Sequence, residues 1–271
     1  MKTKFRLLIL LGFFSLGISG ALIAQERPTF LTVTTVHWNM EYENFSMDEW
    51  KAVEKEYFDK VTSKNEFIVS SLVLMHYFTA DNSEIKFVTG YSSWENIEKA
   101  QERSNELANQ AWPDEKARDA FFKKQSAYYS DMHSDEIYST LDGAKVLTEK
   151  PTEPMVYYVR VSHRAFPEDG TPEEIQALRK EYKENVIDRN SYLKAYYPSR
   201  HAWGSDGRDF IEAFVVSSLG DLELSMKENQ KLIKDHWPDE AKADAFFDKL
   251  GKYDTGWHGD FIYRHVPELS K

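Results

Sequence analysis

The chain has 271 residues, 34 Lys and Arg against 45 Asp and Glu, and no cysteine. A net charge of −11 argues against a nucleic-acid or anionic-membrane partner, since both recruit positive surfaces. The lack of cysteine excludes a disulfide framework, a thiolate metal site and a lipid-anchored N-terminal cysteine.

Lys2, Lys4 and Arg6 precede an apolar run from Leu7 to Ile23 that ends in small residues. This is the pattern of a secretory signal peptide over residues 1–24, cleaved after Ala24 or Ala21; an uncleaved anchor is the alternative. Export to a bacterial periplasm or exterior is expected. Loss of the three bases lowers the net charge from −11 to −14. No second apolar run approaches the ~20 residues that span a bilayer.

The rest of the chain is written twice. "AWPDEKARDAFF" at Ala111–Phe122 returns as "HWPDEAKADAFF" at His236–Phe247, and an offset of 125 aligns Ser46–Tyr138 on Thr171–Tyr263 without a gap. Over a quarter of the columns are identical, including Asn65 with Asn190, His76 with His201 and Asp81 with Asp206. Two repeats are expected, residues 29–150 and 151–271.

In chain order each repeat opens on a β-rich run, Phe30–Asn39 and Met155–Arg164. A helix follows, started by the capping boxes Ser46-x-x-Glu49 and Thr171-x-x-Glu174. Its apolar stripe is Trp50, Val53, Tyr57, Val61 in one repeat and Ile175, Leu178, Tyr182, Val186 in the other. Two strands come next, Phe67–Thr79 with Ile85–Tyr91, and Tyr192–Trp203 with Phe210–Ser217. Ser92-x-x-Glu95 and Ser218-x-x-Asp221 start a second helix, and the WPDE segment a third, with its Pro at the first helical position. The closing strands fall around Glu136–Thr140 and Phe261–His265. The order is a ferredoxin-like βαββαβ unit with one extra helix, an α+β fold. Each unit covers one sheet face only, so two can pack bare face to bare face.

"GYSSWENIEKAQE" at Gly90–Glu102 resembles the third strand and second helix of the dimeric α+β barrel superfamily, which includes antibiotic-biosynthesis-type monooxygenases and NIPSNAP-like and EthD-like proteins. The second repeat departs from it, with Leu219 in place of Trp94. The resemblance implies two repeats fused into one pseudo-symmetric barrel, with no need for a second chain; no catalytic residue is carried over.

Two groups of residues can carry chemistry. His76 and His201 stand near equivalent strand ends, while His133 with Asp135 and His258 with Asp260 form H-x-D pairs. On an extended chain i and i+2 share a face, so each Asp can orient its His as a general base; a structural turn is the other reading. Metal binding is not expected, because no closely spaced ligand set exists. The second group is Arg160, Lys194, Tyr196 and Arg200 in repeat two, where repeat one has no charge. Placing Tyr158, Arg160 and Ser162 towards the barrel lumen, and Val159 and Val161 towards the helices, makes a lumen site for an anionic or aromatic ligand. His37 and His163, at the first strand ends, read as structural.

The leading expectation is an exported small-molecule-binding protein with an asymmetric site in repeat two. Alternatives are a cofactor-independent monooxygenase or isomerase using a His–Asp base, a barrel that binds haem through a lumen His, and a structural envelope protein. The absence of a phosphate loop, a GxSxG and a Cys nucleophile disfavours nucleotide-binding and hydrolase chemistry.

Overall fold

The computed structural model describes residues 27–271; the expected signal peptide lies outside them. The first half runs β1 (Phe30–Trp38), α1 (Met47–Lys60), β2 (Ser70–Phe78), β3 (Glu84–Tyr91), α2 (Trp94–Ala111), α3 (Glu115–Ser126) and β4 (Tyr129–Thr140). The second repeats it with β5 (Val156–Arg164), α4 (Pro172–Tyr182), β6 (Ala195–Trp203), β7 (Asp209–Val216), α5 (Leu219–His236), α6 (Glu240–Gly251) and β8 (Asp254–His265). A π turn, Lys183–Ile187, extends α4.

The strands close a barrel in the order β1-β3-β2-β8-β5-β7-β6-β4, antiparallel at every pairing. The last strand of each half bridges to the other half, β4 to β6 and β8 to β2. Because β1, β2, β5 and β6 alternate with the other four, they all run one way. Their C-terminal ends, with His37, His76, His163 and His201, therefore gather at one mouth.

Local chemistry places most helix starts as expected. Ser46, Thr171 and Ser218 each cap a helix by accepting the N–H three residues on. The cap of α2 is Ser93 rather than Ser92, whose hydroxyl instead accepts from the Asn96 amide. Pro113 is not the first helical residue. Trp112 ends α2, Asp114 caps α3 by accepting from Ala117 N at 2.8 Å, and Pro113 between them cannot continue the first helix. Phe121 stacks on Trp112 at 4.1 Å and Phe246 on Trp237 at 4.3 Å. The doubled WPDE…DAFF thus joins and anchors two helices in each half.

Strands β4 and β8 begin seven residues earlier than the apolar runs Glu136–Thr140 and Phe261–His265 indicate. Their first halves are polar and exposed, so no hydrophobic alternation marks them.

The lumen is packed. Leu72, Leu74 and Val88 of the first half meet Tyr157, Val159, Ala195, Val215, Phe261 and Tyr263 of the second. An eight-stranded barrel is just wide enough for interdigitated side chains. This reverses the expected facing of β5: Tyr157 and Val159 point inwards, while Tyr158 and Arg160 point out towards the helices. Apolar and aromatic side chains fill the narrow interior, and the long cations take the outer face beneath the helices.

Asn65 and Asn190, both with no exposed surface, tie the loop after the first helix to the second helix of each half. Asn190 Nδ2 donates to Ser225 O and Asn229 Oδ1 at 2.9 and 2.7 Å, while its Oδ1 accepts from Tyr192 and Leu193 N–H. Truncation strands several buried groups at once, so Asn190→Ala is expected to cost about 2–3 kcal/mol. Urea unfolding at unchanged m-value measures it; a loss below about 0.5 kcal/mol contradicts the tether.

Candidate functional site

Two adjoining cavities of about 330 and 340 Å3 lie between the outer face of β5, β6 and β7 and the helices α4 and α6. Both are lined by Arg164, Ile175, Arg179 and Tyr253. The sheet supplies Arg160, Ser162, Tyr196, Phe210, Glu212 and Phe214. Tyr182 from α4 and Phe247 from α6 close it from above, and Arg200 reaches its outer part.

The same space in the first half holds packed aromatic rings. By strand register Trp38 stands where Arg164 does, opposite Tyr129 where Arg164 has Asp254. Phe87 replaces Glu212, and the repeat offset puts Trp50 at Ile175 and Glu54 at Arg179. Trp38 meets Trp50 edge-on at 5.0 Å and lies parallel to Tyr129 at 6.1 Å. Three of these large rings become Arg, Ile and Asp in the second half, which removes the filling and leaves a charged cavity.

Its electrostatics are unbalanced. Among the described residues no carboxylate oxygen lies within 4.0 Å of Arg160, Arg164, Arg179 or Arg200. Arg164 donates to Gly207 O at 3.2 Å, but its buried Nε has no partner. Arg179 stacks its guanidinium over Phe210 at 4.1 Å. Burial lowers the pKa of Arg164, with Arg200 and Arg179 adding repulsion, and burial likewise lowers that of Arg179. Such crowding disfavours the charged forms unless an anion joins them. Glu212 and Asp254 are the acids that line the cavity, and Glu212 is the buried one. It faces the cavity but is shielded from bulk water, and burial raises its pKa despite the hydrogen bond from Tyr196 Oη at 2.6 Å and the nearby Arg179 and Arg160.

Of the four residues expected to hold a ligand, Arg160, Tyr196 and Arg200 line this cavity. They do so outside the barrel wall and not in the lumen. Lys194 is exposed, precedes β6 and is not among the lining residues. Both H-x-D pairs form, His133 Nε2 to Asp135 at 3.5 Å and His258 Nε2 to Asp260 at 3.2 Å. They stand exposed on the outer face of β4 and β8 and line neither cavity. Asp135 accepts from Thr34 Oγ1 and Asp260 from Tyr158 Oη, both at 2.6 Å. His76 and His201 are half-buried at the barrel mouth, bonded to Thr79 Oγ1 at 2.8 Å and to Gly204 O at 3.4 Å.

Arg164, Arg179 and Glu212 were not singled out by the sequence as site residues. The signal was present in the aligned repeats: Glu54 faces Arg179, Phe87 faces Glu212 and Trp50 faces Ile175.

No family model matches the chain, and no curated protein matches it by sequence. Solved structures do. A provisionally assigned monooxygenase from Fusobacterium nucleatum superposes with a TM-score of 0.53 at 11% identity, covering 89% of this chain and 93% of that one. A chlorite dismutase variant from Candidatus Nitrospira defluvii, in complex with cyanide, gives 0.53 at 10%, covering 90% and 93%. A third, a provisionally assigned monooxygenase from Lactobacillus acidophilus, gives 0.52 at 6%, covering 89% and 94%. At such identities the likeness concerns the fold and not the chemistry. The chain thus has the dimeric α+β barrel fold, with both ferredoxin-like halves supplied by one polypeptide.

Proposed function

We propose that the chain is an exported small-molecule-binding protein whose second half takes an organic anion with a flat apolar body. The observation that carries this is the set of arginines around one cavity that have no carboxylate partner among the described residues, with the buried Nε of Arg164 likewise left without an acceptor there. A carboxylate, phosphate or enolate supplies the missing acceptors, and a guanidinium fork suits such groups. Tyr182, Tyr196, Phe210, Phe214 and Phe247 offer ring faces and edges to the rest of the ligand. The cavity lies at the small end of the usual range for ligand sites. A purely structural envelope role leaves the unpaired cations unexplained.

The residues present do not fit the haem alternative. Its axial histidine was to stand in the lumen, where Tyr157, Val159, Phe261 and Tyr263 already fill the interior; no histidine lines either cavity. A catalytic reading keeps one observation in its favour, the Glu212–Tyr196 pair beside the arginines. A carboxyl with a raised pKa can accept a proton from an acidic C–H or O–H while the arginines hold the enolate. On that reading the base is Glu212, and Glu212→Gln removes turnover but not binding.

Native mass spectrometry of the protein purified from its own source tests the binding reading. The expected result is a non-covalent adduct, anionic when released, that is absent from Arg164→Ala. Protein that carries nothing and binds no member of an aromatic carboxylate panel contradicts it.

A further inference from the structure

The geometry points to a divalent transition-metal site at the barrel mouth of the second half, made by His163, Asp206 and Asp209. One ligand atom from each lies within 4.8 Å of the others. His163 Nε2 is 3.3 Å from Asp206 Oδ2 and 3.4 Å from Asp209 Oδ1. Those spacings are long for hydrogen bonds. They match a tetrahedral zinc site, in which two ligand atoms about 2.1 Å from the ion stand about 3.4 Å apart. One imidazole and two carboxylates leave the fourth tetrahedral position open, and the imidazole nitrogen favours a transition metal over calcium or magnesium.

Asp209 is the least engaged of the three ligands, with His163 as its ion-pair partner. Only 8% of it is exposed, its side chain accepts no hydrogen bond among the described residues, and its one polar neighbour within ion-pair reach is His163. Buried carboxylates are ordinarily bonded or paired. The other two ligands are already oriented. Arg208 grips Asp206 through Nε and a terminal nitrogen at 3.0 and 2.7 Å, and Trp257 stacks on the His163 ring at 3.8 Å. Such outer contacts fix the ligands of metal sites.

The first half supplies a control within the molecule. There His37 pairs with Asp81 at 3.2 Å, and Glu84 occupies the register position of Asp209. Glu84, however, has the Lys86 ammonium at 3.5 Å and the Tyr263 hydroxyl at 3.0 Å. The register position of Lys86 is Ile211 in the second half. In the first half an ammonium and a hydroxyl engage the acid at this register position; in the second half Asp209 has only the His163 imidazole, and the nearby cation Arg208 is bound to Asp206.

The test is titration calorimetry of EDTA-treated, desalted full chain with ZnCl2, backed by far-UV circular dichroism of every variant. One ion per chain is expected at micromolar Kd or tighter. Asp209→Asn keeps the shape but weakens binding by more than about tenfold, and Ile211→Lys does the same by installing the first half's ammonium. Asp81→Asn, on the other side of the mouth, leaves the zinc isotherm unchanged. If Ile211→Lys does not fold, the isosteric Asp209→Asn decides alone. The site is overturned if zinc shows no saturable one-to-one binding, if Asp209→Asn binds it as tightly as wild type, or if Ca2+ binds in preference to zinc.

Discussion

Arg179→Ala is expected to weaken binding of an aromatic carboxylate by about 30-fold, with the melting temperature nearly unchanged. The figure follows from losing about 2 kcal/mol of charge-assisted hydrogen bonding. Among the described residues Arg179 has no carboxylate partner within 4.0 Å, its influence on Glu212 is a longer-range one, and its contact with Phe210 is a stacking one. Arg179→Lys retains the charge without the planar fork and is expected to fall between the two. A complementary variant uses the first half's own solution: Ile175→Trp introduces the ring that Trp50 places there, and should plug the cavity. Calorimetry with 1-naphthoate measures both. Unchanged affinity in Arg179→Ala and Ile175→Trp together would place the ligand elsewhere.

The second large effect concerns Glu54, the first half's counterpart of Arg179. It is 6% exposed, accepts from Tyr129 Oη at 2.8 Å and from the Gln125 amide at 3.1 Å, and Trp50 Nε1 donates to the same tyrosine oxygen at 2.7 Å. Burial raises its pKa from 4.5 to about 7, against the downward pull of those two hydrogen bonds. The folded protein therefore holds this proton to higher pH than the unfolded chain. The stability linked to Glu54 is whole below pH 4.5 and is lost as the pH rises through about 7. A shift of that size amounts to about 3 kcal/mol. Glu54→Gln is expected to be more stable than wild type at pH 8 by about 2–3 kcal/mol and nearly equal to it at pH 4. His265 acts in the opposite direction. Burial lowers its pKa from 6.5 to about 4, so its contribution is present above 6.5 and lost as the pH falls through 4. The difference between wild type and Glu54→Gln cancels this common background. Denaturant unfolding from pH 4 to 8 checks the prediction, and a constant difference between the two proteins contradicts it.

The architecture was legible because its signals are local or repeated. Ser46, Thr171 and Ser218 announce helix starts through their own hydroxyls, and the WPDE segments fix the offset that pairs the two halves. The closed barrel followed from two sheets that each lacked a cover. The facing of β5 was not legible. "MVYYVRVSHR" alternates without a clean apolar set on either face, and a one-residue change of phase exchanges lumen for cavity. Reading Arg160 as inward placed it in the lumen, whereas it lines the cavity outside the barrel wall. Arg164 and Arg179 were hidden because a single arginine on a strand end or helix reads as solvent-facing. Only the space emptied by the loss of Trp38, Trp50 and Tyr129 from the second half gives them a role. His163 looked solitary in the sequence, since Asp206 and Asp209 reach it only through the pairing of β5 with β7.

The arginines of the second-half cavity are expected to select negative charge. Calorimetric titration of the wild-type protein with 1-naphthoate and with its neutral amide, at equal pH and salt, tests it most directly. The carboxylate is expected to bind at least about tenfold tighter than the amide, with the preference erased in Arg164→Ala. Equal affinities for the two, or a preference that survives Arg164→Ala and Arg179→Ala alike, would contradict it.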